Sequence, residues 1–124
     1  MPPLRGQEAP SVGSSEVAAG LIFAALADDT RRSVLGAVSE QDSATATELT
    51  DVIPISRQAV AKHLGVLLDA GLVQAERVGR ETRYRTRPGA LRPAASWIAT
   101  ADAAWTSRLD RLKRQTEAGS NPEI

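Results

Sequence analysis

The sequence has no cysteine, a single histidine, four aromatic residues in 124 and no net charge. Without cysteine there are no disulfides, no thiolate nucleophile and no thiolate metal ligand, a pattern that suits a reducing cytoplasm. No apolar run approaches the roughly 20 residues that a membrane span needs. The stretch "VAAGLIFAALA", Val17 to Ala27, has the length of a signal-peptide core. Its flanks oppose export, since Glu8 and Glu16 stand where positive charge is required and only Arg5 supports it. Also missing is any catalytic set: no phosphate loop and no nucleophile beside a base. The one carboxylate pair, Asp28 and Asp29, is better explained as helix capping. The lone histidine, His63, borders a core face and reads as a packed or backbone-bonded residue rather than a ligand. The expectations are no enzyme, no metal and no cofactor.

What is present fits one soluble domain, 42% hydrophobic and 24% charged. Residues 1–15, with three prolines, two glycines and three serines, are expected to be a disordered tail, and residues 118–124, "AGSNPEI", another. The domain is expected to occupy residues 16–117. The neutral total hides an asymmetry. Between Pro54 and Arg92 there are eight basic residues and three acidic ones, net +5, so the rest of the chain carries −5. A positive block on an acidic body points to a polyanionic partner.

Apolar spacing predicts a first helix with a stripe of Val17, Leu21, Ala24 and Ala25, and a second in which Val34, Leu35 and Val38 share a face. "TATE" is a capping box, so a third helix is expected from about Ala46 to Val52. Pro54 then forces a turn and Ser56 caps a fourth helix that Gly71 ends. "LVQAERV" and "TRYRT" around "GRE" read as a hairpin with Gly79 near its tip. A long last helix is expected from Pro93, 20 to 25 residues in length. On it, and just before it, Leu91, Ile98, Trp105 and Leu112 are spaced by sevens, with Ala94 and Ala101 between, which predicts a seam. The fold class is therefore mainly α with a small β-hairpin, a winged helix-turn-helix with a long C-terminal dimerisation helix.

On a 100° wheel the fourth helix places Val60, Leu64, Leu67 and Gly71 together as a core face. Arg57, Gln58, Ala61 and Lys62 lie on the outer side of its first two turns. Donors beside a small residue are what a major-groove helix needs, although a solvated face has the same composition. The neighbourhood favours DNA: a tight turn, a Ser56-capped second helix and an arginine-rich hairpin follow one another. Arg80, next to the tip glycine, is suited to a phosphate or a minor groove, and Arg77, Arg83 and Arg85 extend the positive wing.

Three segments resemble the ArsR-type (SmtB/ArsR) family of bacterial repressors. "LADDTRRSVL" is similar to the family's LADPTRRxIL, with Asp29 in place of proline. "ELTDVIPISRQAVAKHLGVLLDAGLV" is similar to ELAxxLxxSxxxVSxHLxxLxxAGLV, and "VGRETRYRT" resembles the wing consensus REGRxxYYxL. The three occur in order, over about Leu21 to Thr86. The resemblance implies a homodimeric repressor that binds double-stranded DNA at a two-fold symmetric operator. It implies base reading from Arg57, Gln58, Ala61 and Lys62, with Ser56 beside them in the DNA-binding set, backbone contact from the wing arginines, and a dimer interface drawn from Leu21, Leu91, Ala94, Ile98, Ala101, Trp105 and Leu112. The metal chemistry of the family does not carry over. Where its thiol sensors have ELCVCD, this chain has Glu48, Leu49, Thr50, Asp51, Val52 and Ile53, and the last helix holds no histidine. The Trp97, Ile98, Trp105 and Arg108 to Leu112 pattern is similar to a cysteine-free subgroup with no known inducer. The rival expectations are a winged helix that binds an acidic protein partner, and a repressor that takes a small molecule beside Trp97 and Trp105.

Overall fold

A computed structural model describes residues 11–120. The elements in order are α1 (Ser11–Leu26), α2 (Asp29–Ser39), α3 (Ala46–Leu49), α4 (Arg57–Asp69), β1 (Val73–Val78), β2 (Glu81–Thr86) and α5 (Arg92–Ser120). Residues up to Ala94 form one compact unit and those from Ala95 a second. Helix α1 begins inside the expected N-terminal tail and α5 ends inside the expected C-terminal one. Residues 1–10 and 121–124 lie outside the described residues.

The first unit is built on local stop and start signals. Asp28 caps α2 by accepting the Arg31 N–H at 2.9 Å. Thr45 Oγ1 accepts the Glu48 N–H at 3.0 Å while Glu48 Oε1 accepts the Thr45 N–H at 3.1 Å, which closes the capping box of α3. Helix α3 stops at Leu49, three residues short of expectation. Asp51 and Val52 bond to carbonyls three residues back, a tightening that suits the β-branched Thr50, Val52 and Ile53 ahead of Pro54. Ser56 Oγ then accepts the Ala59 N–H at 3.0 Å and opens α4. At its far end Gly71 has φ +76°, Leu72 N–H bonds to Leu67 O at 2.9 Å and Gly71 N–H to Leu68 O at 3.0 Å. That is a Schellman termination, which only a residue at ease in the left-handed region completes without strain.

The core gathers Ile22, Val34, Val38, Leu49, Val60, Leu64, Leu67, Leu72 and Val73, each 2% exposed or less. Val34 and Val38, and Val60, Leu64 and Leu67, are the faces the spacing predicts. Helix α1 is a correction. Of the expected stripe Ala25 is buried, but Val17, at 64%, Leu21, at 47%, and Ala24 are exposed, and Ala19 and Ile22 complete the buried side instead. Val17 to Leu26 is apolar almost all round, so periodicity has no polar face from which to choose a side.

Strands β1 and β2 pair antiparallel from Val73↔Thr86 to Val78↔Glu81, leaving Gly79 and Arg80 as a two-residue loop. Gly79, at φ +64°, supplies the positive dihedral that such short loops require. An isolated bridge joins Ala44 to Tyr84, with reciprocal main-chain bonds of 2.9 and 2.8 Å, and fastens β2 to the residues before α3. The architecture is a winged helix-turn-helix.

The second unit is the body of α5. The helix has 29 residues, about 43 Å at 1.5 Å per residue. It is longer than expected and starts one residue earlier, which puts Pro93 in the first turn, where its missing N–H costs nothing. Ile98, Trp105, Leu109 and Leu112 are all more than half exposed.

Candidate nucleic-acid interface

Ser56, Arg57, Gln58, Ala61 and Lys62 are all exposed on the first two turns of α4, opposite a buried face that fixes the rotation of the helix. Arg57 is partly committed: its Nε donates to Thr47 Oγ1 at 3.0 Å and pins the start of α4 to α3. Gln58 and Lys62 have no side-chain partner among the described residues. The helix therefore presents an amide and an ammonium group beside Ala61, whose small side chain permits close approach. Such groups can donate to purine edges or phosphates.

The four wing arginines are not equivalent. Arg80 sits at the tip with no partner among the described residues. Arg77 Nε donates to Gly79 O at 3.2 Å, close to that tip. Arg85 pairs with Glu76 at 3.2 Å, both side chains remaining substantially exposed. Arg83 corrects the expectation of a uniformly cationic outer face. Its side chain is only 22% exposed and pairs with Glu48 at 3.0 Å and Glu81 at 2.8 Å. Glu81 lies two residues away on the same face of β2, whereas Glu48 and Ser43 come from 35 and 40 residues away, where strand alternation cannot bring them together with Arg83.

Among the expected interface residues, Leu21, Ile98, Trp105 and Leu112 are exposed, and Ala101 is half-buried. Leu91 is exposed but lies one residue ahead of α5. Ala94 is a second correction: it is 5% exposed and belongs to the core of the first unit. The spacing by sevens runs on through a point at which the surroundings of the helix change, so the pattern alone could not separate it from the seam.

One positioning residue escaped the sequence reading altogether. Arg31 Nε donates to Ala25 O at 2.7 Å, at the last turn of α1, and its Nη1 lies 3.4 Å from His63 Nδ1 on α4. It thus ties the end of α1 to α4 while its own N–H is held by Asp28. His63 is half-buried in this contact, and among the described residues no three His, Asp or Glu side chains converge as a metal site.

The acidic groups of this region are poised by their partners. The Arg31 backbone N–H, then its guanidinium and His63, hold Asp28 below its ordinary value against some desolvation. The Thr45 backbone N–H, then Arg83, do the same for Glu48. Stability from these two carboxylates is complete above the range in which an unfolded carboxylate titrates, and is lost as the pH falls through the lowered values. Melting temperature is expected to hold from neutrality to about pH 5 and to fall below about pH 4. Asp28→Asn and Glu48→Gln should each make that acid fall shallower when followed by circular dichroism.

Residues 26–74 match a helix-turn-helix domain model. The transcriptional regulator YuzN of Bacillus subtilis is 49% identical over 65 residues, covering 48% of this chain and 71% of its own. A solved ArsR-like transcriptional regulator from Rhodococcus sp. RHA1 is 37% identical, with a TM-score of 0.74 over 82% of this chain and 94% of that one.

The chain belongs to the ArsR-like family.

Membership makes it a DNA-binding transcriptional regulator. The arsenic resistance regulator ArsR1 of Pseudomonas putida is 28% identical over 106 residues, 83% of this chain and 81% of that protein. The matched helix-turn-helix segment includes all of α4, and with it Arg57, Gln58, Ala61 and Lys62. Arg77, Arg80, Arg83 and Arg85 lie beyond it. No helix among the described residues is long and apolar enough to cross a membrane.

Proposed function

We propose that this ArsR-like regulator is a cytoplasmic homodimeric repressor that occupies a near-palindromic operator and does not sense metal. The reading is carried by one observation: Gln58, Ala61 and Lys62 stand exposed and unengaged at the start of a Ser56-capped helix, directly before a hairpin whose tip arginine is also unengaged. In this reading Arg57, Gln58, Ala61 and Lys62 meet base edges, Ser56 and the helix N-terminus meet a phosphate, and Arg77, Arg80 and Arg85 meet the DNA backbone. Arg83 is omitted because carboxylates already hold it. The absence of cysteine and of histidine on α5 supports a mechanism without metal. Leu21 on α1 and Ile98, Ala101, Trp105 and Leu112 on α5 are apolar residues suited to a two-fold interface.

Selection from a randomised duplex library at two salt concentrations tests the reading. A two-fold symmetric site that is lost at the higher salt is expected; no enrichment at either salt would favour an acidic protein partner instead. With the selected operator, Gln58→Ala and Lys62→Ala should relax base preference by roughly 1 to 3 kcal/mol at the position each contacts. Arg80→Ala should instead weaken every duplex alike and reduce the salt dependence by about one phosphate. Uniform losses from both sets, measured by fluorescence anisotropy, would refute the division of roles.

A further inference from the structure

Arg83 lies mid-strand in β2, yet its contacts are with the helix-turn-helix. Its Nε donates to Ser43 Oγ at 2.7 Å, and Nη2 donates to Ser43 O at 3.3 Å and to Glu48 Oε1 at 3.0 Å. Nη1 donates to Glu81 Oε1 at 2.8 Å and reaches Glu48 Oε2 at 3.5 Å. Both edges of the planar guanidinium are in use, which is the geometry that distinguishes arginine from lysine. Glu48 is the carboxylate that caps α3, and the Ala44–Tyr84 bridge lies immediately beside this cluster. Arg57 Nε in turn ties α4 to Thr47, one residue before Glu48. Wing, α3 and recognition helix are thus linked in series through residues 43–48.

We infer that Arg83 is a positioning residue for DNA binding, a strut that holds the wing at a set angle to the helix-turn-helix so that the Arg80 tip and the outer face of α4 meet the same duplex. This rests on the reading of the chain as a duplex-binding regulator. Glu81 and Glu48 raise the proton affinity of Arg83 by hydrogen bonding and charge, and a phosphate would have to displace both to engage it. Such a residue contributes geometry to the complex and little net attraction.

Glu48→Gln separates the two roles by sign. Glutamine keeps the acceptor that the capping box needs but loses the charge that grips Arg83. If Arg83 met DNA, removing a neighbouring negative charge would free it and tighten binding. As a strut it predicts the reverse: Glu48→Gln binds the selected operator about 5-fold more weakly and Arg83→Ala about 10-fold or more. In both, the salt dependence keeps its slope, and the double variant is no worse than Arg83→Ala because the two act as one unit. Arg83→Lys, which retains the charge and loses the fork, should behave like Arg83→Ala. A DNA-independent readout is amide hydrogen exchange at Ala44 and Tyr84, whose N–H groups make the bridge. Exchange there should accelerate at least several-fold in Arg83→Ala, Arg83→Lys and Glu48→Gln, and not in Arg80→Ala. Tighter binding by Glu48→Gln, full activity of Arg83→Lys, a slope reduced by one in Arg83→Ala, or unchanged exchange would each overturn the strut. Should no duplex be selected at all, the functional reading falls with the role of the strut in DNA binding, while exchange still decides whether Arg83 anchors the wing.

Discussion

Trp105→Glu is expected to convert the protein to monomers in sedimentation and to remove operator binding in a mobility-shift assay. Ile98, Trp105, Leu109 and Leu112 are 53 to 64% exposed on α5, and burying what remains accessible of each is worth roughly 1 to 2 kcal/mol. In a two-fold interface each contributes twice, for a gross gain of about 8 to 16 kcal/mol. Association itself costs an estimated 4 to 15 kcal/mol, so gain and cost are of the same order and the loss of both copies of Trp105 is enough to tip the balance. A glutamate there removes that contribution and adds two like charges that must be desolvated together. Monomers would hold one half-site each, with too few base contacts for specific binding. Trp105→Phe, which keeps an aromatic ring, should remain dimeric. A dimer that survives Trp105→Glu would show that the partner surface lies elsewhere.

Leu64→Ala should cost about 2 to 5 kcal/mol of folding stability, measured by urea denaturation. Leu64 is 0% exposed, among the largest fully buried side chains, and it joins α4 to a core with contributions from α1, α2, α3 and β1. For a unit of this size the loss corresponds to a fall in melting temperature on the order of 10 to 30 °C. Lys62, two residues earlier on the same helix, provides the contrast. Its replacement by alanine should leave stability within about 0.5 kcal/mol of the parent while changing base preference. If Leu64→Ala were as stable as the parent, the rotation assigned to α4 would be wrong, and with it the identity of the outward-facing residues.

That rotation was legible in the sequence, and so were most of the boundaries around it. Asp28, the Thr45–Glu48 box, Ser56 and Gly71 act on backbone groups within a few residues of themselves, and each ends or starts an element as its chemistry dictates. The exposed set Arg57, Gln58, Ala61 and Lys62 follows from the period of a helix whose opposite side is unambiguously apolar. Where these conditions fail, so does the reading. Helix α1 has no contrasting polar side, and its buried residues turned out to be Ala19, Ile22 and Ala25. Ala94 keeps the register of the seam but packs in the core of the first unit. Arg83 and Arg31 act across 35 to 40 and 32 residues of chain, respectively, and nothing in local spacing distinguishes a guanidinium that will find such partners from one that will not.

The two-residue loop at Gly79 and Arg80 sets a rule of parity for the wing. Tyr84 is fixed to Ala44 at the base of the hairpin, and the ladder runs without a bulge from Val73↔Thr86 to Val78↔Glu81. One extra residue in β2 alone would turn every side chain on one side of it to the opposite face, exchanging the inward Tyr84 and Thr82 with arginines or reversing the tip. A two-residue loop closes on a hydrogen-bonded pair, and such pairs recur at every second position, so the hairpin can lengthen or shorten regularly only by two residues in each strand, about 7 Å at a time. The reach of Arg80 is thereby adjustable in discrete steps, while the packing at the base stays untouched.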